Sequence, residues 1–277
     1  MAKNANFPYN GAVEWFMQDG TTGVGEVVGG TYDIDPAVTV DTGAGGIDVT
    51  YGGIAKATVN VELLTPLKTI LTGMMRAAAA TSVVAKTFEL GNQDSEWVYT
   101  DCQPSGFKAT CGFEKPLQVN AGFWAKTPSE GTTGSIVQVA TVSGITDTWS
   151  TFVILVNAVD YDVQEWSITV NCNPSWWSSQ DSKLATTKRM PQGIILGAQE
   201  VTLQLQTLKA IPFATAGFLA DEPLANLPVT ITGSDVVFTF ADMKTPKESG
   251  PRPRLNDMMV YTYDFPVVRA WGALTIT

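Results

Sequence analysis

The chain has 277 residues, 44% of them hydrophobic and 16% charged. That is enough apolar material for one large or two ordinary cores, and too much for a disordered chain. The net charge of −10 is shared: residues 1–146 carry 8 basic and 14 acidic side chains, and residues 147–277 carry 9 and 13. With no basic region, tight nucleic-acid binding is disfavoured, because phosphate contacts need Lys and Arg.

Residues 1–11, punctuated by Pro8 and Gly11, read as an extended arm, and residues 12–17 as a short strand. Residues 19–30 are rich in Gly and Thr. Their Gly23-Val24-Gly25 is not a dinucleotide loop, since no strand–loop–helix context follows. Residues 32–40 are extended around Pro36, and residues 41–46 form a glycine-rich loop. Residues 47–51 and 54–63 predict a hairpin closed by Gly52-Gly53. Its second arm has Ala55, Ala57, Val59, Val61 and Leu63 alternating with Lys56, Thr58, Asn60 and Glu62, the period-two signature of a half-buried strand.

Thr65 as N-cap and Pro66 at the first helical position open the best helix of the sequence. Leu67, Ile70, Leu71, Met74, Met75 and Ala78 share one face, and Gly73 costs about 1 kcal/mol there. Residues 83–90 and 96–100 predict strands around a polar turn, and residues 107–113 and 117–125 another pair around Pro116. Residues 128–135 are the most linker-like and divide the chain into 1–135 and 136–277.

The second part opens with strands predicted over 136–142, 151–156 and 164–170. Residues 171–193 form a long connection holding Trp176 and Trp177. The alternating strand from Glu200, with Val201, Leu203 and Leu205 between Thr202, Gln204 and Gln206, repeats the 55–63 pattern at an offset of 144. A weaker helix over 213–220 and strands over 229–231, 236–240, 258–266 and 273–276 follow. A proline-rich loop over 243–256 carries Lys244, Lys247, Arg252 and Arg254. Further landmarks recur in order: Pro66 with Pro212, Phe88-Glu89-Leu90 with Phe238-Thr239-Phe240, and Pro116 with Pro266. The series predicts an internal duplication of one β unit with a short helix.

Chemistry-bearing patterns are sparse. The chain holds no histidine, which excludes Ser-His-Asp and Cys-His catalysis and histidine zinc sites. Neither a Gly-x-Ser-x-Gly elbow nor a P-loop is present. The pairs Asp33/Asp35, Asp94/Glu96 and Asp160/Asp162 read as solvated acids, with a glycosidase or calcium role as the alternative. Cys102, Cys111 and Cys172 are too few for a disulfide framework and read as buried thiols, with a Cys102–Cys111 pair as the alternative. The eight tryptophans read as core or interface anchors, with sugar stacking at Trp176-Trp177 as the alternative. No cofactor is expected. No signal peptide or membrane span is read, so the chain is expected to be made in a cytoplasm.

Three stretches carry a family likeness: Gly53-Ile54 through Leu63-Leu64-Thr65-Pro66 to Leu71; Trp97-Val98-Tyr99-Thr100-Asp101-Cys102-Gln103 with Ala121-Gly122-Phe123-Trp124; and Val237-Phe238-Thr239-Phe240 through Tyr261–Pro266 to Leu274-Thr275-Ile276-Thr277. In these the chain resembles the tail tube proteins of long-tailed bacteriophages, in their two-domain form. The long 171–193 connection and the poor second helix depart from the pattern. The resemblance implies a mainly β fold of two tandem β-sandwich domains, each flanked by a short helix. Their inner sheets would form a barrel on oligomerisation. It further implies a structural virion protein without enzymatic activity, assembling with itself into stacked rings of three copies. The rings would meet other phage tail proteins and form a channel that DNA crosses without specific binding or membrane insertion of this chain.

If the alternating strands belong to the inner sheets, Lys56, Thr58, Asn60, Glu62, Glu200, Thr202, Gln204 and Gln206 face the lumen. Lys244, Lys247, Arg252 and Arg254 are then expected to form a loop that contacts the adjacent subunit or ring. A distal tail, terminator or baseplate component, or a carbohydrate-binding β-sandwich, are the alternatives.

Overall fold

The computed structural model describes residues 16–19, 22–23, 26–35, 38–42, 48–52, 55–64, 68–75, 85–91, 96–131, 147–177, 191–211, 227–252, 260–270 and 272–277. Among them the fold is mainly β, in several antiparallel sheets, with one α-helix. In chain order the first elements are β1 (Phe16–Asp19), β2 (Thr22–Gly23), β3 (Glu26–Asp35), β4 (Val38–Thr42), β5 (Asp48–Gly52), β6 (Lys56–Leu64), α1 (Lys68–Gly73), β7 (Lys86–Gly91), β8 (Glu96–Gly112), β9 (Gln118–Ala125) and β10 (Thr127–Glu130). There follow β11 (Val153–Val156), β12 (Val159–Asp160), β13 (Val163–Asn171), β14 (Pro174–Trp177), β15 (Gly193–Leu196), β16 (Glu200–Thr207), β17 (Leu227–Thr232), β18 (Val237–Met243), β19 (Lys247–Arg252), β20 (Val260–Asp264), β21 (Val268–Arg269) and β22 (Leu274–Ile276).

One pairing order occurs twice. In the first set β3, β6, β9 and β8 lie side by side; in the second β13, β16, β20 and β19 do. The outer sheets match as well: β2-β1-β7-β8-β10 in the first set, β12-β11-β17-β18-β22 in the second. The two-stranded ribbons β4–β5 and β14–β15 each arise between the first and second strands of their set. Direct pairing of β8 with β13 fuses the two inner sheets into one of order β3-β6-β9-β8-β13-β16-β20-β19.

Strand β8 serves both sheets. Its start pairs with β7 and β10, and its end with β9 and β13. The change of sheet needs unusual backbone: Asp101 has φ 52° and Gly106 φ 149°. A Cβ at Gly106 would run into the carbonyl oxygen of Val170 on β13, so glycine is required where the two sets meet. In the second set the same passage is divided between β18 and β19.

The core lies between inner and outer sheets, as period-two burial demands. Ala57, Val59, Val61 and Leu63 of β6, and Val201, Leu203 and Leu205 of β16, are buried. In the first set Phe88 of β7 packs on Phe123 of β9, ring centroids 4.5 Å apart; in the second, Trp166 of β13 packs on Phe238 of β18 at 5.6 Å. Each such side chain contributes on the order of 1.5–3 kcal/mol by leaving water.

Several sequence expectations are corrected. Strand β5 pairs with β4, so Gly52-Gly53 closes no hairpin with β6; β6, apolar on one face throughout, is central between β3 and β9. Glycine-rich residues 26–30 belong to β3, with a bulge between Val27 and Gly29. Residues 96–100 and 107–112 are one strand running through Pro104. Phe88-Glu89-Leu90 corresponds by pairing to β17, not to Phe238-Thr239-Phe240, because β7 and β17 are the strands that join β1 and β11, and Pro266 corresponds to Trp124 rather than to Pro116. Residues 128–130 of the linker-like stretch form part of β10, and Trp176 and Trp177 lie in a strand rather than a loop. The expected loop over 243–256 contains β19, whose Lys247–Arg252 backbone pairs with β20. Among the described residues helix α1 spans Lys68–Gly73, with Ile70, Leu71 and Met74 buried; the expected cap Thr65 and Pro66, with Leu67 and Ala78, lie outside them. The expected elements over 136–142 and 213–220 lie outside the described residues.

Candidate functional site: a polar concave sheet face and its two open edges

The inner sheet buries one face and exposes the other. On β6, Lys56, Asn60 and Glu62 are exposed and Thr58 half-buried; on β16, Glu200, Thr202, Gln204 and Gln206 are half-buried. All eight point away from the core, as the alternation predicts. Strands β9, β8 and β13 separate the two groups and continue the same polar surface.

Register fixes its rows. One row runs Glu62, Asn120, Lys108, Thr169, Thr202, and another Gln118, Thr110, Ser167, Gln204, Asp264, Lys247. The face is hollowed at the junction of the two sets. A concavity of about 530 Å³ is lined by residues including Thr31, Asn60, Glu62, Lys108, Asn120 and Asn171.

Charge on the face is mixed and partly tied. Arg269 Nε donates to Glu200 Oε1 at 2.8 Å, and Gln204 Nε2 donates to Asp264 Oδ1 at 2.6 Å. Lys108 lies in register with Asn120 and Thr169. The result is a wall of amides, hydroxyls and balanced charges, suited to hydration rather than to gripping a polyanion. Lys108, Asn120, Ser167 and Thr169 were not singled out from sequence. The signal was there, because each alternates with buried neighbours: Phe107 and Ala109, Val119 and Ala121, Ile168 and Val170.

The sheet ends in two open edges. Among the described residues β3 pairs only with β6, and β19 only with β20. Three of the four basic residues expected to act together are here: Lys247 is exposed on β19, Lys244 is exposed just before it, and Arg252 ends the strand. Arg254 lies outside the described residues. The opposite edge carries exposed Asp33 and Asp35 on β3.

Other candidate chemistry is occupied or dispersed. Trp176 stacks on Trp124 at 4.7 Å and 14°, so one of its faces is covered by protein. Asp162 faces Lys209 at 3.9 Å, and Glu96 is buried, while Asp94 lies outside the described residues. No group of three His, Cys, Asp or Glu residues that could hold a metal occurs among the described residues. All three cysteines are buried as thiols. Burial pushes Cys111 up to about 12, with Asp147 adding to it, and Cys172 up to about 11 against a hydrogen bond from Gln199. Burial also raises the Asp147 carboxyl, opposed by backbone N–H donors of Asp235 and Ser234.

No protein-family model matches the chain, and no curated protein matches it.

Proposed function

We propose that the chain is a self-assembling structural subunit of a phage tail tube, built from two tube-like units over 1–135 and 136–277. Copies join through their sheet edges into rings of three, and rings stack into the channel through which the genome leaves the virion. One observation carries this reading: the open edges are the two halves of a joint the chain already makes internally. Strand β8 ends the first set and pairs with β13, which starts the second. Strand β19 ends the second set as β8 ends the first, and β3 starts the first as β13 starts the second. A β19–β3 contact between copies repeats the β8–β13 pairing and continues the sheet without a new kind of interface. Such heterologous contacts close when the rotation per copy divides the circle.

The internal register transfers directly. Gly106 lies opposite Asn171; their counterparts are Lys247, opposite Asp264, and Asp35, opposite Lys56. The joint between copies therefore sets a lysine against an aspartate. In the closed ring the concave polar face lines the lumen, where Thr58, Asn60, Thr202 and Gln204 give DNA few phosphate contacts.

Negative-stain microscopy of concentrated protein tests the reading. Long hollow rods are expected. Isolated rings that never stack would favour a terminator-like or baseplate-like tail component, and a monomer at every concentration contradicts both.

A further inference from the structure

We infer that the β4–β5 ribbon of one copy seats on the Pro266–Val267 segment of the neighbouring copy; this rests on the proposed assembly. The argument starts from the joint inside the chain, which is more than a strand pair. Among the described residues the β14–β15 ribbon pairs with no strand outside itself. It belongs to the second set but rests on the first, where its Trp176 lies flat on Trp124 at the end of β9. Its base is held there too. Cys172 N donates to Ser105 O of β8 at 2.9 Å, and the Gln199 amide, fully buried, donates to Met75 Sδ beyond α1 at 3.4 Å. The ribbon thus crosses the joint in the same sense as the strand pairing and covers the neighbouring set.

The β4–β5 ribbon leaves β3 as β14–β15 leaves β13, and among the described residues it too pairs only with itself. Its counterpart floor follows from register. Val59 lies opposite Phe123, and Leu203 O accepts from Phe265 N at 2.9 Å, so Phe265 corresponds to Phe123 and Pro266 to Trp124. Pro266 and Val267 are exposed, Val267 to 47%, although the corresponding floor in the first set is covered by a ribbon. Within one chain β3 and β20 lie six strand spacings apart in the sheet. In the joint between copies only β19 would separate them, as only β8 separates β13 from β9. A second copy, joined at the β3 edge, brings its Pro266–Val267 segment directly beneath the ribbon.

The test places a photoreactive benzoylphenylalanine at Val267 in full-length protein and mixes isotopically light and heavy copies under assembly conditions. After irradiation, peptides joining position 267 to residues 38–52 of the other isotope are expected, several-fold above the yield from the same group at Val153, which is exposed on the outer sheet. Assemblies that form normally but cross-link elsewhere, or only within one copy, overturn the ribbon contact and leave the assembly reading standing. Protein that remains monomeric without intermolecular cross-links overturns both. If the bulky group at 267 blocks assembly, the same group at Thr50 reads the contact from the other side, with residues 265–268 as the expected partner and any other partner overturning the inference.

Discussion

Tyr32 and Ile168 hold the same position in the two strand sets, and only Ile168 is fully covered. Tyr32 lies opposite Val59 on β6, and Ile168 opposite Leu203 on β16. Both point to the core face. Ile168 is 0% exposed because β8 flanks β13, whereas Tyr32 is 41% exposed on a strand with no described neighbour beyond it. An exposed core-face aromatic on an open edge is a liability for a monomer and a ready contact for a partner strand.

Charge exchange across the proposed joint tests its register. Lys247→Glu is expected to weaken association of copies several-fold, and Lys247→Glu with Asp35→Lys to restore it, since an exposed ion pair contributes about 0.2–1 kcal/mol and a ring repeats it at every joint. Sedimentation velocity at two salt concentrations reads the effect. A double variant as weak as the single one would show that these residues do not face each other.

Basic substitutions on the concave face test what the face is for. Thr58→Arg with Thr202→Arg, both at half-buried sites pointing away from the core, should leave thermal stability within ~1 kcal/mol of the parent. Assembled protein should gain salt-sensitive DNA retention, because each arginine adds a phosphate contact. Equal DNA retention by parent and variant assemblies would remove the lumen assignment.

Much of this face was legible in the sequence. Residues 56–63 and 200–206 alternate without interruption, so the polar set and its direction followed from period two alone. The duplication was legible through the same two strands, which do occupy equivalent places. Its aromatic landmark failed because β7, β17 and β18 all alternate apolar residues inward: in a paired hairpin, Phe-x-Phe on one arm resembles Phe-x-Leu on either. Strand β8 looks divided in sequence because Pro104 removes a ladder donor. The structure accepts it at the bulge between Pro104 and Gly106, where the strand changes sheets. Edge strand β19, with Pro246 just before it and Pro251 within it, looks like a loop for the same reason.

The cysteines should be silent in the native protein. Cys111 at about 12 and Cys172 at about 11 are neutral thiols at pH 8, and all three are buried; the thiolate is the reacting form. Ellman's reagent is expected to label none of them within minutes at pH 8 and all of them in denaturant. Rapid native labelling would contradict the buried placement.

Asp147 gives a pH dependence of known sign. The residue is 4% exposed, and its carboxyl accepts from Ser234 N and Asp235 N at the β17–β18 turn. Because its folded pKa is raised above 3.8, the folded state holds the proton to higher pH than the unfolded state. Its contribution is greatest below pH 3.8 and declines as pH rises through the raised value. Asp147→Asn keeps one acceptor oxygen and should flatten that part of the stability profile in urea titrations. An unchanged slope above pH 3.8 would show that Asp147 titrates as it does in the unfolded chain.

The central claim, that the chain's open edges complete each other as β8 and β13 do, is tested most directly by an electron cryomicroscopy reconstruction of the assembled protein at strand-resolving detail. The account predicts closed rings of three copies with β19 of one copy antiparallel to β3 of the next, Lys247 opposite Asp35, Tyr32 covered and the Thr58–Thr202 face turned to the lumen. Rings joined through any other elements, with β3 and β19 still open to solvent, would contradict it.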